Sequence, residues 1–281
     1  MPEIAEAARA LDLTLSDPEL EQARDHITEF IADQVDAAGV DEAVIGLSGG
    51  IDSTLTSHLA VEALGRDAVY GLVMPSEVNR DENMSDAEHV AAELLDIEYD
   101  VIAVEPVLEA IVEQTPDVAG THTDDETLRT ALGNTRARIR AVYNYFAANR
   151  RGALVLGTGN RSEALVGYFT KYGDGAVDCH PISILYKAQV RQLARHIGVP
   201  ADLVEKPPSA ELWADQTDEG ELGLDYDTLD SILALHIDGP LSPSATADAL
   251  GVERELVEEV RMMFERSAHK RAAPPGPEPL F

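Results

Sequence analysis

Lysine is almost missing from this sequence: of 281 residues only Lys171, Lys187, Lys206 and Lys270 are lysine. Lysine and arginine together number 21 against 52 aspartates and glutamates, a formal net charge of −31 at pH 7. So acidic a surface repels phosphate polymers and anionic lipid, which argues against nucleic acid or a membrane as partner. It suits a protein that stays soluble in concentrated salt, where screening over ~3 Å at 1 M tames self-repulsion. Cysteine is represented by Cys179 alone. An internal disulfide is excluded, and a reducing cytoplasm is the expected location. Cys179 itself reads as a small packed residue rather than a nucleophile. Long apolar runs are also missing, and Met1-Pro2-Glu3 lacks the basic start of a signal peptide.

What is present is ordinary for a globular protein. Hydrophobic residues make up 44% of the chain, and its length allows one large domain over 1–281 with a sizeable core. Ten of the 21 basic residues lie between Arg136 and Arg195. An anionic small molecule in so acidic a protein needs a locally basic pocket, and that clustering marks where it goes.

The chain is organised around Ser48-Gly49-Gly50-Ile51-Asp52-Ser53. An apolar, β-branched run, residues 43–47, precedes it and reads as a buried strand. Residues 54–64 follow, with Leu55, Leu59, Ala60, Ala63 and Leu64 at helical spacing. The glycines therefore occupy a tight strand-to-helix turn, where they let backbone N–H groups converge. Those amides, the Ser48 and Ser53 hydroxyls and the helix dipole make a seat for an anion. No Gly-Lys-Ser/Thr follows, so this is not a Walker A loop. Asp52 beside the seat would repel phosphate unless a cation lay between them, which points to a magnesium ligand. An ordinary acid in the first helical turn is the plainer alternative.

Around the loop, residues 17–38 form an amphipathic helix with Leu20, Ile27, Phe30, Ile31 and Val35 on one face, to be packed against the sheet or a partner chain. Further strands are expected at 68–74, 97–104 and 153–157. Helices are expected from the capping-box pattern at Ser85 to Leu95, over 128–149, over 187–197 and across 225–268, with Ser242-Pro243 starting one of them. The alternation implies a doubly wound parallel α/β sheet with ligands at the strands' carboxyl ends and a helical C-terminal region. Residues 115–125 read as loop, 205–224 as a long lid and 272–281 as a mobile proline-rich tail. Glu163 follows a strand end as Asp52 does, so the two acids can share one crevice and one magnesium. A helix N-terminal acid would look the same.

Several separate motifs then occur in order. They are the glycine loop, Gly157-Thr-Gly-Asn-Arg-Ser-Glu163, Phe169-Thr-Lys-Tyr-Gly-Asp-Gly175, Pro208-Ser-Ala-Glu-Leu-Trp213, Gln216-Thr-Asp-Glu-Gly-Glu-Leu-Gly223 and His269-Lys270-Arg271. The loop alone resembles the wider ATP pyrophosphatase group. The whole set resembles the NAD synthetase family, from the loop almost to the C-terminus. The resemblance implies a Rossmann-like fold and a ligase that adenylates the nicotinic-acid carboxylate of deamido-NAD with ATP and then admits ammonia, leaving NAD, AMP and pyrophosphate.

Carried over residue by residue, Gly46, Leu47, Ser48, Gly49, Gly50, Ile51, Asp52 and Ser53 would cradle the ATP phosphates, joined by Thr158, Lys187 and Ser209. Asp52 and Glu163 would hold Mg2+. Arg138, Lys171, Asp178, His269 and Lys270 would contact deamido-NAD, with Asp178 and Lys187 as the catalytic candidates. Asp178 would orient the pyridine ring or deprotonate ammonium, hydrogen bonding being the simpler role. Three of the four lysines stand on matched positions; Lys206 does not. Tyr168 and Phe169 are candidates to stack on a ring or to pack in the core, and Trp213 to close a lid.

Too few residues precede the loop for the glutaminase domain that many relatives carry, so ammonia is the expected nitrogen source. The family also implies a homodimer, for which the 17–38 face and the 128–149 helix are the available surfaces. Rival classes are another adenylating enzyme of the same group, such as a tRNA-thiolating or GMP synthetase-like enzyme, and a nucleotide-binding module without turnover. The single cysteine and acidic surface speak against the tRNA enzyme, and intact acids at both metal positions against the silent module.

Overall fold

The computed structural model describes residues 13–75, 86–115, 125–208 and 217–278. A sheet of parallel strands forms its centre. In chain order the elements are α1 (Asp17–Ala38), β1 (Glu42–Leu47), α2 (Ile51–Leu64), β2 (Val69–Val73), β3 (Glu98–Val101), α3 (Glu105–Gln114), α4 (Asp125–Arg151) and β4 (Ala153–Leu156). Short helices α5 (Arg161–Val166), α6 (Lys187–His196), α7 (Ala201–Val204) and α8 (Asp218–Leu222) follow. The C-terminal layer comprises α9 (Tyr226–Ile232), continued by a wider turn over Leu233–Ile237, then α10 (Pro243–Leu250), α11 (Arg254–Arg266) and α12 (Ala268–Arg271).

The strands run β3-β2-β1-β4, every pair parallel. Val44 at the middle of β1 faces Tyr70 on one side and Val155 on the other. Both faces of β1 are covered, as a doubly wound sheet requires. Ala43, Ile45 and Leu47 face a core shared with α1, α2 and α6, while Val44 joins Tyr70, Leu72, Val104, Leu108 and Ile139 beneath α3 and α4. Burying a side chain of this size stabilises by roughly 1.5–3 kcal/mol. A third core, built on Val166, Tyr226, Leu229, Ile232, Val257 and Val260, holds the C-terminal helices.

α2 is enclosed, and its buried hydroxyls are satisfied by its own backbone. Thr54, Thr56 and Ser57 donate to the carbonyls of Gly50, Asp52 and Ser53. The Ser242 hydroxyl caps α10, accepting from Ala245 N at 3.2 Å. No helix among the described residues is long and apolar enough to cross a membrane.

Three expectations change. The third strand, expected over 97–104, covers only Glu98–Val101. It is an edge strand, and the chain turns into α3 at Glu105, just before Pro106. The segment 205–224 is not a loop throughout: Thr217 caps α8 by accepting from Gly220 N, and Asp218 and Leu222 are buried. The apolar face of α1, expected against the sheet or a partner chain, packs on α2 and α6, with Leu20, Ile27 and Ile31 in the first core. The Ser85 capping box, most of 115–125, and Ser209 and Trp213 within the expected lid lie outside the described residues. Residues 272–278 are exposed and carry no regular structure.

Candidate active site

β1 is followed by α2 on its way to β2, whereas β4 lies on the opposite side of β1. The strand order therefore reverses between β1 and β4, and a crevice opens there at the carboxyl ends. The loop after β1 and the turn after β4 form facing walls of a cavity of about 470 Å³.

The first wall is a self-satisfied turn. Gly49 has φ +79°, the left-handed region open to glycine. Gly50 N donates to Ser48 Oγ at 3.2 Å, and Ser53 Oγ donates to Gly50 O at 3.0 Å. The Ser48 and Ser53 hydroxyls lie 3.1 Å apart. This wall carries hydroxyls and backbone amides, and Asp52 is its one charge.

The second wall is charged. Asn160 caps α5, its Oδ1 accepting from Glu163 N at 3.0 Å, and its Nδ2 donates across the crevice to Asp52 Oδ1 at 2.8 Å. Lys187, the first residue of α6 and only 2% exposed, donates from Nζ to Asp52 Oδ2 and to Glu163 Oε1, the latter at 3.2 Å. Two carboxylates from different turns thus converge on one ammonium. Behind it stands Tyr226, whose ring centre lies 5.1 Å from Lys187 Nζ and whose hydroxyl donates to Asp218 Oδ2 at 3.0 Å. Asp218 is 3% exposed and lines the same cavity, and its Oδ1 has no hydrogen-bond partner.

Negative charge exceeds positive in this wall, and the acidities follow. Burial pushes Glu163 above the ordinary carboxylate range, opposed by Lys187 and reinforced by Asp52 and Asp218. Burial also raises Asp218. Burial alone would lower Lys187, but Asp52 and Glu163 outweigh it and hold the ammonium protonated, above its ordinary value. Asp230 beneath the wall accepts from Ser162 Oγ and from Ala188 N, and burial carries it to about 6.

Asp52 and Glu163 fit a magnesium ion: they are hard oxygen donors that already meet at one cationic point, and Asp52 is oriented from behind by an amide. Among the described residues no three His, Cys, Asp or Glu side chains gather closely enough to hold a metal. Such a site leaves positions for phosphate oxygens and water, which is how magnesium is commonly bound.

The described ATP-side candidates, Gly49 excepted, line the cavity: Gly46, Leu47, Ser48, Gly50, Ile51, Asp52, Ser53, Thr158 and Lys187. Tyr168, Phe169 and Lys270 line it too. Lys270 Nζ donates to the carbonyls of Gly167 and Phe169 at 2.7 and 2.8 Å. Arg138, Lys171, Asp178 and His269 do not line it. Arg138 donates to Lys171 O at 3.2 Å, and Lys171 Nζ to His269 O, so these three form a separate chain of contacts. Asp178 accepts from Tyr145 Oη at 3.1 Å and from Val155 N at 2.8 Å, which engages both oxygens.

Sequence reasoning missed Asn160, Lys206, Asp218 and Tyr226. Lys206 lines the cavity and pairs with Asp86 at 2.7 Å. For Asn160 the Asn-x-x-Glu spacing was a readable capping signal. For the others no local pattern marks the role.

A glycine turn that seats anions beside paired carboxylates, at the switch point of a parallel sheet, defines a nucleotide-phosphate-binding α/β protein. A sequence model of the NAD synthase family matches residues 23–274. The NH(3)-dependent NAD(+) synthetase of Halobacterium salinarum is 59% identical over 267 residues, 95% of this chain and 97% of that one. NMN synthetase from Francisella tularensis superposes with a TM-score of 0.78 at 33% identity, covering 94% of this chain and 99% of that one. The NH3-dependent NAD synthetase from Campylobacter jejuni gives 0.75 at 28%, covering 92% and 99%. The chain belongs to the NAD synthase family.

Proposed function

We propose that this chain, acting as one domain, forms NAD by amidating the nicotinic-acid carboxylate of deamido-NAD with ammonia at the expense of ATP. The observation that carries this reading is the meeting of Asp52, Glu163 and Lys187 opposite the Ser48–Ser53 loop, in a chain of this family. A carboxylate oxygen attacks the α-phosphorus, and the bond to the β-phosphate oxygen breaks. Ammonia nitrogen then attacks the carboxyl carbon, the bond to AMP breaks, and one proton is lost.

The loop amides and the Ser48 and Ser53 hydroxyls hold phosphate oxygens, and Lys187 adds a fixed positive charge as pyrophosphate leaves. Asp52 and Glu163 would hold magnesium, which would supply charge neutralisation for the departing pyrophosphate. Thr158, on the turn after β4, faces the nucleotide. Lys270, braced on Gly167 and Phe169, contacts deamido-NAD, with Arg138, Lys171 and His269 as a second group of contacts. Asp178, held by Tyr145 and Val155, positions the nicotinate side rather than acting as a free base.

The buried lone thiol and the acidic surface support a salt-adapted protein working in the cytoplasm. α4 exposes Val142 and Phe146, 68% and 66% accessible, one helical turn apart, and this stripe supports a homodimer through α4. A sedimentation mass of one chain with activity intact would refute the dimer.

The deciding experiment incubates the protein with ATP, Mg2+, deamido-NAD and ammonium in high salt and assays NAD, AMP and pyrophosphate together. Equal formation of all three, lost in Asp52→Ala, is the expected result. AMP and pyrophosphate without NAD would transfer the chemistry to another acceptor. A parallel arm with deamido-NMN tests the acceptor that the name of the Francisella relative raises.

A further inference from the structure

We propose that Asp218 is a second seat for the Lys187 ammonium: when a divalent cation takes the oxygens of Asp52 and Glu163, Lys187 moves to Asp218 Oδ1 and remains in the crevice. The inference rests on Asp52 and Glu163 being metal ligands.

In the structure one ammonium occupies the point where those carboxylates converge. An ammonium and a dication cannot share that point, so metal binding must displace Lys187. The displacement is confined to the side chain. Lys187 N donates to the buried Ser162 Oγ at 3.0 Å, which pins the start of α6. With its backbone fixed and its side chain 2% exposed, the displaced ammonium needs a partner inside the crevice.

Two neighbouring acids are already spent. Asp230 uses both oxygens, on Ser162 and Ala188, and Glu221 accepts from Tyr168 Oη at 2.7 Å. Asp218 is different. The residue lines the cavity, its Oδ2 is fixed by Tyr226, and its buried Oδ1 has no hydrogen-bond partner, the neighbouring Tyr168 hydroxyl being given to Glu221. The Tyr226 ring spans the two positions: it lies 5.1 Å from Lys187 Nζ, and its hydroxyl holds Asp218. The ammonium thus keeps a cation–π partner along its path. Once on Asp218, it has N–H groups left for the ATP phosphates, which reconciles its contact with the carboxylates here and with nucleotide during turnover. Asp218 is in this view a positioning residue that acts through Lys187.

The scarcity of lysine makes this measurable. Protein labelled with 13C at the lysine ε-carbon gives four signals, and Lys187 is assigned by its absence in Lys187→Met. MgCl2 alone is titrated at constant ionic strength, and Mn2+ affinity is read by electron paramagnetic resonance. The Lys187 signal should shift saturably in the wild type. Asp218→Asn should weaken Mn2+ about tenfold, Asp218→Glu should restore it, and in the Lys187→Met background Asp218→Asn should change it less than twofold.

A Lys187 signal that stays put while Mn2+ binds overturns the second seat and leaves the metal site standing. Equal weakening of Mn2+ in both backgrounds makes Asp218 a simple attractor of the cation and also overturns it. No Mn2+ binding that depends on Asp52 removes the metal site and the inference together. Should Asp218→Asn not fold, Asp218→Glu and the wild-type lysine signal still decide.

Discussion

The two walls of the crevice solve opposite electrostatic problems. The Ser48–Ser53 turn receives an anion with neutral groups: its hydroxyls and amides are bonded to one another at 3.0–3.2 Å and can trade those bonds for phosphate oxygens. The wall opposite gathers Glu163, Lys187, Asp218 and Asp230 out of solvent around one ammonium. Partial charges from a backbone are cheap to bury because the fold satisfies them locally. Full charges need partners drawn from distant parts of the chain, and in this wall the acids outnumber the one ammonium.

The contrast predicts unequal sensitivity. Glu163→Gln should lower NAD formation by about 10³-fold, since it removes one of the two carboxylates that would hold the metal at a desolvated centre. Ser53→Ala, which deletes one exchangeable hydroxyl among several donors, should cost about tenfold. Comparable losses in a coupled assay of both variants would erase the distinction between the walls.

Next in size is Gly167→Ala. Gly167 has φ +72°, and a Cβ there would stand 2.1 Å from Ser267 Cβ. Strain and overpacking together should destabilise by about 3 kcal/mol, read by denaturant unfolding, and should loosen Lys270 from the charged wall. Gly49→Ala on the neutral wall meets the left-handed strain of φ +79° and should lose about 1–2 kcal/mol.

These walls were not equally legible. The neutral turn could be read because strand, glycines and helix are contiguous and each obeys a local rule. The parallel order followed from the alternation of periodicities. The charged wall is a tertiary object: Lys187 reaches Asp52 across 135 positions, and nothing local to residue 187 announces it. Asp218 sits in an acid-rich stretch, where sequence gives no way to tell a buried carboxylate from a solvated one. The amphipathic pattern of α1 was visible, but whether its partner was its own core or another chain depended on the packing of α2 and α6. Arg138, Lys171, Asp178 and His269 came from family resemblance, and the single-chain crevice leaves them outside its lining.

A smaller effect tests whether burial alone sets the acidity beneath the charged wall. Asp230 titrates near 6 in the fold against 3.8 when unfolded. The folded chain therefore holds a proton that the unfolded chain has released, and this contribution to stability is present at low pH and lost as pH rises through 6. Between pH 5 and pH 7 the wild type should lose about 1 kcal/mol relative to Asp230→Asn. A difference that does not change with pH would mean that Asp230 stays ionised throughout. Least of all should change at Cys179, which is buried and whose thiol burial pushes to about 11. Its alkylation by iodoacetamide at pH 8 should lag a free thiol by on the order of a hundredfold.

The bracing of Lys270 on Gly167 and Phe169, with Arg271 donating to the carbonyls of Ala164 and Leu165, has a temporal meaning. The glycine turn at 48–53 leaves the ribosome more than 200 residues before the helix Ala268–Arg271. A nascent chain therefore carries the neutral turn long before Lys187, Asp218 and the bracing Lys270 exist. A cut that frees α12 should therefore leave the glycine turn in place while releasing Lys270 and Arg271 from the carbonyls at the end of α5.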